Sequence, residues 1–172
     1  MRISAFIVAG AVVLTAGLAH AEEHGSKIAS TPQWERMKTL VGEWDGYAVE
    51  EGKKLPTHVS VRMTGDGSAV MHWMDAGTPH EMITMFHLDG SDLLATHYCA
   101  AHNQPRMKMV QGSDPNVLVF EFKDGTNIGP DDVHMQSVTI TFIDADHHYE
   151  DWSSIDHGKI ETMRFDFHRK KA

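Results

Sequence analysis

The sequence predicts an all-β fold, a single antiparallel up-and-down barrel of about ten strands with one short N-terminal helix. Three observations carry that expectation. Apolar and polar residues alternate along many short segments, as Val59, Val61 and Met63 do against His58, Ser60 and Arg62. Turn signals rich in Asp and Gly separate these segments at a spacing of roughly 8–12 residues. Helical periodicity occurs once, near the N-terminus.

Residues 1–21 have the order of a secretory signal peptide: Arg2, an uncharged run over residues 3–18, then the small-x-small site Ala19-His20-Ala21. A spanning helix needs about 20 apolar residues, more than this run supplies. The expected location is therefore periplasmic or secreted, with the mature chain starting at Glu22. Removing 21 residues from 172 leaves 151, and the loss of Arg2 takes the net charge from −9 to −10. Residues 22–30 read as a flexible polar leader and residues 31–172 as the barrel domain. In the latter, Thr31 suits an N-cap, Pro32 the first helical position, and Trp34, Met37 and Leu40 a buried stripe ended by Gly42.

Strands are expected at residues 44–49, 58–63, 69–74, 81–86, 92–99, 106–111, 117–122, 135–143, 148–154 and 160–167. Turns are expected at Gly65-Asp66-Gly67, Asp89-Gly90, Asp114-Pro115-Asn116, Asp124-Gly125, Asp144-Ala145-Asp146 and Asp156-His157-Gly158, because Asp and Gly tolerate the positive φ of tight hairpins. Closing the meander into a barrel removes its sheet edges; a two-sheet sandwich is the alternative. The acidic charge argues against nucleic acid and anionic membranes as partners. No later segment is apolar enough to span a bilayer, and the lone Cys99 excludes an intrachain disulfide.

Gly42-Glu43-Trp44-Asp45-Gly46 places Gly-x-Trp at the first strand. With Gly77-Thr78-Pro79-His80-Glu81-Met82, Thr96-His97-Tyr98-Cys99, Asn103-Gln104-Pro105-Arg106-Met107 and Asp124-Gly125-Thr126-Asn127 before His134-Met135, it resembles a family of bacterial calycin-like (lipocalin- or nitrobindin-like) domains of uncharacterised function. The resemblance runs from about Trp34 to Phe167 and implies the barrel, with the Trp plugging its closed end. Nitrobindin-like relatives bind haem through a histidine late in the chain. The late histidines here, His147, His148, His157 and His168, match no such motif, so haem is not carried over.

Strand alternation puts His97 and Cys99 on the face of Leu93 and Ala95, where they are either a paired site for a ligand or metal, or core residues. His102, Asn103, Gln104 and Arg106 suit a polar ligand group at the barrel mouth, or a turn held by its own hydrogen bonds. His134 shares a face with Gln136, Val138, Ile140 and Phe142 by strict alternation. His80 and Glu81 point to opposite sides. Met71, Met74, Met107 and Met109, with His72, are soft-ligand types or pliable pocket lining. His147, His148 and His157 read as solvated, and Trp73 and Trp152 as pocket walls or packing.

The expected ligand-binding set is thus His97, Cys99, Asn103, Gln104, Arg106 and His134, converging on one cavity. Spacing supplies no third and fourth metal ligand, and no cofactor is assigned. Gly-x-Ser-x-Gly, phosphate-loop, His-Glu-x-x-His and Cys-x-x-Cys signatures are absent, which places binding ahead of catalysis. The leading expectation is an exported protein holding a small, mainly apolar ligand. The alternatives are metal or haem binding through His97 and Cys99, and a hydrolase or isomerase with His97 as general base and Arg106 holding an anion.

Overall fold

The structure, a computed structural model, describes residues 30–171 apart from 51, 111 and 113; the expected signal peptide and nearly all of the leader lie outside the described residues. One helix, α1 (Pro32–Lys38), precedes ten strands: β1 (Gly42–Glu50), β2 (Lys53–Thr64), β3 (Ala69–Met74), β4 (Met82–Asp89), β5 (Asp92–Tyr98), β6 (Gln104–Val110), β7 (Val117–Thr126), β8 (His134–Phe142), β9 (His147–Asp156) and β10 (Lys159–Arg169). Each strand pairs antiparallel with its chain neighbour, and β1 pairs with β10, so the barrel is closed. The sandwich alternative is excluded. Among the described residues no helix is long and apolar enough to cross a membrane.

Local chemistry explains the elements. The Thr31 hydroxyl accepts the Trp34 N–H at 3.1 Å and Pro32 opens α1, which buries Trp34 and Met37. The helix end and Leu40 plug one end of the barrel. There Trp44 donates its indole N–H to the Leu40 carbonyl at 2.7 Å and lies under the Arg169 guanidinium, 4.1 Å from the ring centre. The β9–β10 connection is the pair His157 (φ 47°) and Gly158 (φ 79°), the two left-handed positions of a type I′ hairpin. At the closing seam Gly46 faces Phe167 on β10. A Cβ there would sit 2.2 Å from the Asp166 carbonyl oxygen and 2.7 Å from Phe167 Cδ1, so only glycine lets these strands meet.

The inward residues beside the plug form the core, including Val59, Val61, Val70, Phe86, Leu93, Ala95, Met107, Leu118, Phe120, Ile140 and Phe167. Burying one large apolar side chain of this kind stabilises by about 1.5–3 kcal/mol.

Two irregularities depart from the sequence expectation. The Asp124-Gly125 pair is not a turn but the last part of β7. A register shift opposite Arg106 and Met107 carries the strand on to Thr126, and the turn falls later, at Asn127 (φ 56°). In β8 a second shift between Met135 and Ser137 inserts an extra residue, reversing which side chains face inward.

Candidate functional site

Alternation along four strands sends polar side chains into the barrel. β3 turns His72 and Met74 inward, β4 Met82 and Thr84, β5 His97, and β9 His148, Glu150, Trp152 and Ser154. With Met135 of β8 and Met163 and Phe165 of β10, several of these line a cavity of about 630 Å3 in the half of the barrel away from the plug. Its walls are mainly thioether and aromatic. The hairpin residues Lys159, Glu161 and Thr162 border it at the mouth.

Beneath this cavity lies a buried charge network. Glu150 is fully enclosed, yet each carboxylate oxygen is used. Oε1 accepts from His72 Nε2 at 3.0 Å and from His148 Nε2 at 3.1 Å, and Oε2 accepts from Trp152 Nε1 at 2.8 Å. Burial alone would raise its pKa, but the His72 charge and the hydrogen bonds from His148 and His72 hold it well below the usual carboxylate range. Glu150 is therefore an anion bridging β3 and β9. His148 is also packed edge-on against Trp44, 4.4 Å between centres, and stacked on Phe167.

His97 stands beside the network. It is 3% exposed, 5.0 Å from the Trp152 ring, and its Nδ1 hydrogen-bonds the Thr84 hydroxyl at 2.8 Å. Among the described residues its Nε2 has no hydrogen-bond partner. Burial, with the His72 charge adding to it, pushes this imidazole down to about 4, so it is neutral at physiological pH. A buried polar atom without a partner costs free energy, and this one belongs to a residue that lines the cavity.

The structure separates the six residues expected to converge. His97 lines the cavity. β5 ends at Tyr98, so alternation no longer governs Cys99; it lies in the turn, its N–H bonded to the Asn103 carbonyl, and is not among the lining residues. Asn103 is buried but works as a staple, donating to the Val133 carbonyl at 2.7 Å and tying two rim loops together. Gln104 accepts from Asn127 at 3.2 Å. Arg106 lies on the outer face, exposed and paired with Asp124. His134 faces outward too, because the β8 bulge places Met135 inside instead; its ring lies 4.6 Å from Phe122 and its Nδ1 meets the Asp132 carbonyl at 2.9 Å. The rim residues Asn103, Gln104 and Arg106 thus bond to neighbouring segments, at Val133, Asn127 and Asp124, and not within their own turn.

Other positions also differ from expectation. His148 is buried, not solvated, because it shares the inner face with Glu150 and Trp152. Met107 and Met109 share a buried face, Met74 lines the cavity, and Met71 lies on the opposite face of β3, so the methionines form no single soft-ligand cluster. Of the late histidines only His148 points inward, and its Nε2 is committed to Glu150 beside the plug, away from the cavity lining. It does not fit the position of a haem ligand. Sequence reasoning missed Glu150 and Thr84. For Glu150 the signal was present: alternation from Trp152 back to His148 puts a carboxylate on an inner face, where it must be paired.

No protein-family model and no curated protein matches the chain. Solved structures share its fold, among them two proteins. A protein of unknown function from the DUF3598 family of Nostoc punctiforme matches with a TM-score of 0.56 and 14% identity over 78% of this chain, which spans 48% of that protein's length. Rv2717c from M. tuberculosis matches with a TM-score of 0.56 and 13% identity, over 83% of this chain and 100% of its own. The calycin-like expectation and the observed barrel agree, and likenesses at these identities establish the fold alone.

Proposed function

We propose that the protein is an exported binding protein that holds one small, mainly apolar ligand in the open half of the barrel, with a single polar atom of that ligand meeting His97 Nε2. The observation that carries this reading is the cavity walled by Met74, Met82, Met135, Trp152, Met163 and Phe165, which His97 also lines with an imidazole whose buried Nε2 has no partner among the described residues. A volume of about 630 Å3 falls in the range of small-molecule sites, about 300–1,000 Å3. Methionine walls adapt to ligand shape at little conformational cost. Whether Nε2 donates or accepts follows from the direction of the Thr84–His97 bond, so the ligand group is a hydroxyl, amide or carbonyl. Export rests on residues 1–21. The hydrolase and isomerase reading loses its anion holder, because Arg106 is outside and paired with Asp124.

A neutral naphthylamine probe tests the reading. It should bind saturably at one equivalent and quench tryptophan emission, since Trp152 forms part of the wall. Ser154→Trp, which places an indole in the cavity from β9, should weaken binding without unfolding the chain. No saturable binding, or binding untouched by that substitution, would overturn the proposal.

A further inference from the structure

The outer wall of the barrel carries a second cluster that the cavity does not use. On β9 and β10, His147 and His168 are direct cross-strand partners, and Asp166 precedes His168 by two residues on the same face. Both imidazoles aim Nε2 at one carboxylate oxygen: His147 lies 2.9 Å and His168 3.2 Å from Asp166 Oδ1. The rings stack at 4.2 Å between centres, and the three ligand atoms all lie within 4.8 Å of one another. The other oxygen, Oδ2, accepts the Tyr47 hydroxyl at 2.9 Å, which fixes the carboxylate's orientation. His147 and Asp166 are mostly covered, with side chains 20% and 18% exposed, while His168 at 60% leaves one side open.

We propose that His147, Asp166 and His168 form a site for a divalent transition cation of the zinc and copper(II) class. Two imidazole nitrogens and a carboxylate oxygen are the donor types these ions take, and harder ions such as magnesium or calcium prefer oxygen alone. In a tetrahedral zinc site with bonds of about 2.0–2.1 Å, neighbouring ligand atoms lie about 3.3 Å apart. The two N···O separations here are already close to that value, so binding needs small ring movements and loss of the protons between the atoms. Tyr47 would act as the outer partner that orients the ligating carboxylate. Asp45, opposite His168 on β1, is engaged with His58 at 2.8 Å and faces Lys170, so water would complete the coordination. This site is independent of the cavity.

The test is calorimetric titration of the metal-free protein with zinc chloride alone. One equivalent should bind. Affinity should fall by more than about tenfold in His168→Ala and in Asp166→Asn, since loss of even an outer partner costs about 10–100-fold. Cys99→Ser and His97→Ala should leave it unchanged. His168 is exposed enough for its alanine variant to fold, which an unaltered circular dichroism spectrum and naphthylamine binding would confirm. Absence of zinc binding, or zinc binding that survives both His147→Ala and His168→Ala, would overturn the proposal. Absence of saturable probe binding in the wild type, with zinc binding intact, would instead count against the cavity reading.

Discussion

His97→Gln should remove a defined part of the protein's acid sensitivity. Above pH 6.5 the imidazole is neutral in both the folded and unfolded chains, so it adds no pH dependence. As pH falls below 6.5 the unfolded chain takes up a proton that buried His97 refuses until about 4. The unfolded state is therefore favoured across that window, and the loss of stability stops below it. At about 1.36 kcal/mol per pH unit, the full loss is roughly 3 kcal/mol, with about 2 kcal/mol already gone near pH 5. Glutamine keeps a hydrogen-bonding group near Thr84 but does not titrate. Urea unfolding of both proteins at about pH 7 and about pH 5 gives the comparison, and the groups they share cancel in the difference. Wild type should lose about 2 kcal/mol more than the variant between the two conditions. Equal losses would show that His97 is solvated in the folded state and would remove the basis for its neutral, uncommitted nitrogen.

Glu150→Ala should destabilise by at least about 3–5 kcal/mol in the same assay, because it strands the His72, His148 and Trp152 donors in the interior; a loss below about 1 kcal/mol would contradict the network. Arg169→Ala should cost about 1–3 kcal/mol, since the guanidinium bonds the Thr39, Val41 and Ala145 carbonyls and covers Trp44. Red-shifted tryptophan emission would report the opened plug. N-terminal sequencing of exported protein should begin at Glu22; intact residues 1–21 on functional protein would remove the basis for export.

Much of the fold was legible in the sequence because it depends on local rules. Period-two alternation located all ten strands, Thr31-Pro32 located the helix start, and His157-Gly158 located a hairpin that demands two positive φ values. The errors arose where one extra residue breaks a period. Strict alternation from Val138 back to His134 passes through the β8 bulge, and past it the faces exchange, so Met135 rather than His134 enters the cavity. Arg106 was misplaced by treating residues 102–106 as one loop, when β6 begins at Gln104 and turns Arg106 outward beside Asp124. His97 was legible as an inward residue. Its partners were not, because Thr84 and Trp152 reach it only through strand pairing and closure of the ring. The same holds outside, where Asp166 meets His147 across a register that no spacing in the chain reveals.

Native mass spectrometry of the protein isolated from the cells that make it tests ligand binding most directly. One equivalent of a small organic molecule should be retained by the wild type and be retained less by Ser154→Trp, whose cavity is narrowed. Wild-type and variant spectra that both show the mass of the polypeptide alone would contradict the reading of this barrel as a ligand carrier.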